Sequence, residues 1–180
     1  MSVTVRIDTK QFTRASELAR ETIDVFRSYR GHYNNNFESH LRGKIGEIAV
    51  ARWMKENGMA LDNAFEDVSR LREADIQVNG AFRADVKTWS QHFWDDYGRC
   101  VSVQQLPKLL QKADVIIWCI CPEELQPGMT VMLRGWNTMD DVQQSPMRWT
   151  GPPSRRQVFN HQLDEGDIRS TASLLSFSVG

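Results

Sequence analysis

The chain has 180 residues and a formal charge of −1, because 22 Lys and Arg residues nearly balance 23 Asp and Glu residues. A chain of this length is typical of one domain, expected here over 1–180, and can bury a sizeable core without a metal or disulfide. The near-neutral charge excludes a polybasic mode of nucleic-acid binding, although it is compatible with a local basic groove.

The N-terminal segment predicts a helix rather than a targeting sequence. Residues 1–10 are charged and lack the apolar segment of a signal peptide. Apolar residues at three- and four-residue spacing predict a helix over 9–30, followed by a polar loop over 31–37. The longest apolar run, 115–121, is too short to span the roughly 30 Å core of a bilayer. We therefore expect a cytoplasmic protein with no membrane partner.

A second helix is predicted to begin at Ser39, a suitable N-cap, and to end at the stop signal 57–58. Gly43 and Gly46 lie inside it, and each reduces helix propensity by about 1 kcal/mol relative to Ala. We expect a sheet or a ligand to come close to the helix at these glycines, next to Glu47.

The middle of the chain changes to the period of a β-hairpin. Two strand-like runs, 74–78 and 81–89, are separated by Asn79 and Gly80. This dipeptide favours a type I′ hairpin turn. The pattern therefore predicts two antiparallel strands that pair directly.

The next segment predicts a crossover connection. A short strand over 101–103 is followed by a helix over 104–112 and by the continuous apolar run 115–121, which is typical of a strand covered on both faces. A strand, a helix and a buried strand in this order indicate a mixed sheet. A further strand is predicted over 130–134.

The C-terminal region, 138–180, is predicted to be polar and irregular, with one short helix over 167–175. Arg155 and Arg156 in this region could contact a DNA backbone, or could simply lie in a solvated loop.

The hairpin presents two carboxylates and a lysine. Asp75 lies near the start of the first strand, and Asp85 and Lys87 lie two residues apart on the second, so the latter two share one face. Because their neighbours are small or apolar, the carboxylates require a cation or hydrogen-bond donors. Magnesium fits, since it prefers carboxylate oxygens and is completed by substrate phosphate. Lys87 could then position water or neutralise phosphate charge, and Glu47 could reach the same place.

These residues resemble the PD-(D/E)xK nuclease superfamily. The match consists of Asp75, the Asp85-Val86-Lys87 triplet across a hairpin, and a Glu within Gly43-Lys44-Ile45-Gly46-Glu47 on a preceding helix. The Gly-x-x-Gly-Glu form is especially like the archaeal-type Holliday junction resolvases and related phage and restriction nucleases. One departure is Ala74, which stands where the family name has proline.

The resemblance implies an α/β, restriction-endonuclease-like fold, in which a mixed central sheet is flanked by helices and the catalytic core covers about 41–121. It implies a DNA-cleaving phosphodiesterase that depends on Mg²⁺, with Mn²⁺ as a substitute. Glu47, Asp75 and Asp85 would be the metal ligands, and Lys87 the catalytic lysine. A member that resolves junctions would act as a homodimer, because it cuts two strands symmetrically.

Two further residues are possible supporting groups. By the resemblance, Gln104, or Gln105 beside it, would contact metal-bound water or phosphate, but a polar residue at a helix start is an equally good interpretation. Lys44 lies three residues before Glu47 on the same helical face and could touch a phosphate or be a solvated surface lysine.

An aromatic segment follows the second hairpin strand and includes Trp89, Phe93, Trp94 and Tyr97. These rings could stack on unpaired bases, but packing over the sheet is the favoured interpretation.

Two alternatives to a nuclease stay open. Asp85 and Lys87 alone would form an ordinary salt bridge on an exposed hairpin. A catalytically silent protein with a nuclease fold could instead bind DNA or a protein partner.

Overall fold

The computed structural model describes residues 2–26, 36–151 and 157–179. Its strands are β1 (Val3–Arg6), β2 (Leu61–Asp62), β3 (Ile76–Val78), β4 (Phe82–Ser90), β5 (Cys100–Ser102), β6 (Val115–Cys121), β7 (Thr130–Thr138), β8 (Met147–Thr150) and β9 (Val158–Gln162). Its helices are α1 (Thr9–Phe26), α2 (Phe37–Glu56), α3 (Trp94–Tyr97), α4 (Leu106–Lys112) and α5 (Met139–Gln144).

A six-stranded mixed sheet in the order β1-β7-β6-β4-β3-β2 forms the centre of the fold. β4 and β6 are parallel, and the other neighbours in this sheet are antiparallel. The chain passes through α4 between the two parallel strands. The predicted mixed α/β sheet flanked by helices is therefore confirmed. The crossover, however, joins β4 to β6 and not β5 to β6, because β5 pairs with β9 outside this sheet.

β6 is buried along its whole length, as its apolar sequence predicts. Alternate residues enter two different cores, because successive side chains of a strand point to opposite faces. Ile117 and Cys119 belong to the core beneath α1 and α2. Ile116 and Trp118 belong to a second core on the other face, formed with α4 and α5.

The predicted hairpin of β3 and β4 is confirmed, but its turn differs from the prediction. Val78 pairs with Phe82, so three residues rather than two connect the strands. The amide of Ala81 donates to the carbonyl of Val78, at 3.0 Å. Only Gly80 has a positive φ, +72°, whereas a type I′ turn requires one at Asn79 as well.

The boundaries of the first two helices are partly corrected. α1 is described only to Phe26, so the predicted extension to residue 30 and most of the predicted loop 31–37 lie outside the described residues. α2 begins earlier than predicted, because Asn36 caps it by accepting a hydrogen bond from the amide of Glu38. Ser39 therefore lies inside the helix. The predicted end of α2, at 57–58, is confirmed.

The prediction of an irregular region from residue 138 onward is wrong. β7 extends to Thr138, α5 follows, and β8 and β9 form a second sheet with β5 in the order β5-β9-β8. The short helix predicted over 167–175 is present in part, as the 3₁₀-helix Thr171–Ser176. Arg155 and Arg156 lie outside the described residues.

The close approach predicted at the glycines of α2 is confirmed at Gly46 alone. A β-carbon added at Gly46 would collide with the Oγ1 and Cβ atoms of Thr88 on β4. A β-carbon added at Gly43 would meet no atom within 4 Å among the described residues. Only Gly46 is therefore needed for α2 to pack closely on the sheet beside the hairpin.

This contrast predicts opposite effects of the same substitution three residues apart. Gly46→Ala should lower the free energy of unfolding by about 1–3 kcal/mol, because β-branched Thr88 cannot move aside without strain. Gly43→Ala, the matched control, should raise it by up to about 1 kcal/mol through helix propensity. Urea unfolding measures both values, and equal effects at the two positions would contradict the packing described here.

Within the described ranges, no helix is long and apolar enough to cross a membrane.

Candidate active site

The predicted site residues meet where β4 continues beyond the end of β3. The pairing of the two strands ends at Ile76 opposite Ala84, and β4 then runs on beside β6 alone. Beyond this point a side chain replaces the backbone as the partner of β4: the Oδ2 atom of Asp75 accepts a hydrogen bond from the amide of Val86, at 2.8 Å. The end of β3 thus opens an edge of β4 at which side chains from several elements converge.

Asp85 is the buried centre of the site, with only 1% of its surface exposed. Its Oδ2 lies 2.7 Å from Nζ of Lys87, and its Oδ1 lies 2.6 Å from Nζ of Lys112 at the end of α4. Burial raises the pKa of Asp85, but the two ammonium groups lower it by more, so it lies below its ordinary value. Asp85 is therefore ionised and oriented by both lysines.

Asp75 is a partly buried carboxylate with few compensating charges. Burial and the nearby carboxylates of Asp85 and Glu47 raise its pKa to about 7, while Lys112 and Lys87 offset part of the effect. Asp75 therefore changes its protonation state near neutral pH, unlike Asp85.

Glu47 belongs to the same electrostatic group but is held by a third lysine. Its Oε2 lies 2.7 Å from Nζ of Lys44, one turn earlier on α2. Burial raises the pKa of Glu47, Lys44 lowers it in part, and the charge of Asp85 raises it further. The site thus combines three carboxylates with three ammonium groups.

Lys44 is not the solvated surface lysine that one interpretation of the sequence expected. Only 5% of this residue is exposed, and its ammonium group donates to Glu47 and to the carbonyl of Phe65, at 3.3 Å. Burying an ammonium group requires such compensation. Lys44 therefore neutralises and positions Glu47 inside the fold.

A groove of about 630 Å³ lies beside Lys87 and Lys112 and gives them access to solvent. All the ionisable side chains that line it, among the described residues, are cationic: Arg72, Lys87, Lys108 and Lys112. Gln105 also lines the groove, whereas the exposed Gln104 does not, so the predicted supporting role fits Gln105 rather than Gln104. The groove is therefore suited to bind an anion.

Sequence reasoning missed Lys112 and Lys108. Lys108 and Lys112 are four residues apart on the predicted helix, a spacing that places both on one face. That spacing can be read from the sequence. Which face of α4 packs near Asp85, however, depends on how the connection between β4 and β6 is folded.

The carboxylates of this site can be judged against what a magnesium ion requires, which is oxygen ligands. Hard carboxylate oxygens are suitable ligands. Burial is the main cause of the raised pKa of Asp75, and a cation would relieve the second cause, repulsion from Asp85 and Glu47. In the part of the chain that the structure describes, however, no group of three His, Cys, Asp or Glu side chains is arranged to hold a metal. Asp75 and Asp85 are two carboxylates whose charges interact here, and Glu47 is paired with Lys44.

The raised pKa of Asp75 predicts a pH-dependent stability. Between about pH 4 and pH 7 the folded chain keeps a proton on Asp75 that the unfolded chain releases, so this group lowers the free energy of unfolding as pH rises. Asp75→Asn should remove this decline and make the variant more stable than the wild type above pH 7, with little difference near pH 4. Urea unfolding at pH 4, 6 and 8 measures the effect.

Asp62→Asn is the matched control, and its effect on stability at neutral pH should have the opposite sign. The hydrogen-bonded guanidinium of Arg70 lowers the pKa of Asp62, so its contribution is present at neutral pH and is lost as pH falls through the lowered pKa. The variant should therefore be less stable than the wild type at pH 7. A wild-type chain whose stability rises between pH 5 and pH 8 in an Asp75-dependent way would contradict the assignment.

Comparison with known proteins adds no identity: no family model, no curated protein and no solved structure matches this chain.

Proposed function

We propose that this protein is a Mg²⁺-dependent nuclease that hydrolyses phosphodiester bonds in DNA. The observation that carries the proposal is the meeting of Asp75, Asp85 and Lys87 at the open edge of β4, beside a groove whose ionisable lining is cationic. Buried carboxylates next to a basic groove combine possible metal ligands with a binding surface for the phosphate backbone.

The order of elements supports the same proposal. α2 carries Glu47, the β3–β4 hairpin carries the two aspartates and Lys87, and α4 leads to the buried parallel strand β6. This is the order that the resemblance to the PD-(D/E)xK superfamily implies.

Asp75 and Asp85 would hold the magnesium ion, which, when bound, supplies a Lewis acid for the phosphoryl group. Lys87 contacts Asp85 and lines the groove, so its ammonium group can stabilise negative charge that develops on a phosphate. Arg72 and Lys108 bind flanking phosphates of the same strand. Lys112 orients Asp85 from the opposite side to Lys87.

A cleavage panel tests the proposal. Linear duplex, single strand, flap, four-way junction and RNA substrates are incubated with Mg²⁺, with Mn²⁺ and with EDTA. We expect at least one DNA substrate to be cut with Mg²⁺ and none with EDTA. A panel left intact with both metals would overturn the proposal, and cleavage in EDTA would overturn its metal dependence.

One observation favours a second candidate, a catalytically silent protein that binds DNA. Both oxygens of Asp85 are already within 2.7 Å of ammonium groups, so a metal would have to compete with Lys87 and Lys112. Isothermal titration with Mg²⁺ and Mn²⁺ separates the two candidates. Heat of binding that disappears in Asp85→Asn supports the nuclease, and no binding at millimolar metal supports the silent protein.

The same panel also tests whether the protein prefers branched DNA. Symmetric cleavage of a four-way junction would require a homodimer, which stays a prediction and is measured by sedimentation of the intact protein.

A further inference from the structure

An exposed apolar cluster lies on the second sheet, at the hairpin of β8 and β9. Trp149 is 66% exposed, Met147 56% and Phe159 38%. Trp149 and Phe159 are directly opposite each other across the two strands, with ring centroids 5.2 Å apart. A contiguous patch of exposed apolar side chains, unlike a single exposed residue, often marks a binding surface.

On the same face of this sheet, the side chains nearest β5 are buried, in contrast to Trp149 and Phe159. Val101 and His161 are paired across β5 and β9, and both are buried. Val101 packs in the core formed with α4 and α5. The aromatic segment considered from sequence is also packed: Trp94 is buried, and Trp89 stacks on Tyr97. On this face of the second sheet, Trp149 and Phe159 are the exposed pair of rings.

The exposed pair lies close to the basic groove. The amide of Val103, just after β5, donates a hydrogen bond to the carbonyl of Phe159, at 3.3 Å. Two residues later, Gln105 lines the groove at the start of α4. The backbone of Phe159 therefore lies beside the segment that leads into the groove.

The chemistry of the two surfaces identifies the class of ligand. The groove offers Arg72, Lys87, Lys108 and Lys112 to an anion, and the neighbouring sheet offers the faces of two rings. A nucleic-acid strand carries anions and planar rings at regular spacing. In a duplex the base faces are covered by their neighbours, so only an unpaired strand can present them to Trp149 and Phe159.

We propose that Trp149 and Phe159 stack on unpaired bases of a strand whose phosphates lie in the groove. The preferred substrate class is then DNA with a single-stranded segment. This inference rests on the proposed function, because it assigns the substrate of the same site.

Binding in EDTA tests the inference without cleavage. The anisotropy of a labelled single strand and of a duplex of equal length is measured with the full chain. Trp149→Ala should weaken single-strand binding about tenfold, the scale of one lost base-stacking contact, and change duplex binding by less than about twofold. Trp149→Phe should restore most of the single-strand affinity. Lys108→Glu should weaken both, because phosphates are common to the two ligands.

Phe37→Ala is the matched control, since Phe37 is an exposed aromatic residue, 36% accessible, at the start of α2. It should leave both affinities unchanged. Intrinsic fluorescence gives a second readout, because Trp53, Trp94, Trp118 and Trp136 are buried while Trp149 is exposed. A bound single strand should quench the wild type more than it quenches Trp149→Phe.

The outcomes separate this inference from the proposed function. A wild type that cuts duplex DNA, with single-strand binding unaffected by Trp149→Ala, overturns the inference and leaves the nuclease. A wild type that neither binds nor cuts any nucleic acid overturns both. If Trp149→Ala abolishes self-association in sedimentation and leaves DNA affinity unchanged, the cluster is an interface between copies, which also overturns the inference.

Discussion

Asp85→Asn should reduce Mg²⁺-dependent DNA cleavage by about a thousandfold or more and leave the chain folded. The substitution removes the buried charge that holds Lys87 and Lys112 in place, and with it one of the two proposed metal ligands. Loss of one preorganised charged group from a phosphoryl-transfer site has an effect of this size. Single-turnover cleavage of the best substrate in the panel measures it.

Lys87→Ala should be similarly inactive for a different reason, because it removes positive charge from the groove beside the scissile phosphate while Asp85 remains. Asp62→Asn is the control for both variants, since Asp62 pairs with Arg70 at the far edge of the sheet. It should cleave like the wild type. Circular dichroism and urea unfolding confirm that each variant is folded. Wild-type activity in either Asp85→Asn or Lys87→Ala would show that this is not the catalytic site.

Lys44→Met should destabilise the fold by about 3–5 kcal/mol at pH 8, the cost of leaving one member of a buried ion pair without its partner. Both Lys44 and Glu47 are more than nine-tenths buried, so water cannot replace the lost ammonium group. Without Lys44 the pKa of Glu47 rises further. The loss should therefore shrink as pH falls and Glu47 takes up a proton.

The double variant Lys44→Met/Glu47→Gln isolates the charge effect. It removes both charges and keeps similar side-chain volumes, so its free energy of unfolding should be closer to that of the wild type than that of Lys44→Met. Urea unfolding at pH 5 and pH 8 measures all three proteins. A Lys44→Met variant as stable as the wild type at pH 8 would mean that Lys44 does not neutralise Glu47 in the fold.

The local features of the candidate site were predictable because they depend on short-range geometry. Asp85 and Lys87 share a face because strand side chains alternate, and their contact at 2.7 Å follows from that spacing. The burial of β6 on both faces followed from its unbroken apolar run. The close approach at Gly46 followed from a residue that costs helix propensity without a local reason.

The sequence predictions failed at features that depend on contacts between distant segments of the chain. Lys44 has an ordinary helical spacing from Glu47, and nothing nearby in the sequence shows that Phe65 and the sheet enclose it. The small sheet of β5, β9 and β8 was missed because its strands are short and nearly sixty residues of sequence separate β5 from β9. Short strands with weak alternation form only when other elements provide their pairing and their core.

The sequence by itself determined the mixed α/β class, the hairpin with its aspartates and lysine, and the buried strand β6. Strand alternation and helical spacing are properties of neighbouring residues. Only the tertiary structure decided that Lys112 binds Asp85, that Lys44 is withdrawn into the interior, and that the chain of charge −1 concentrates four cations along one groove. Electrostatic interactions act through space, so their sign at a site depends on which charges the fold brings together and not on the total along the chain.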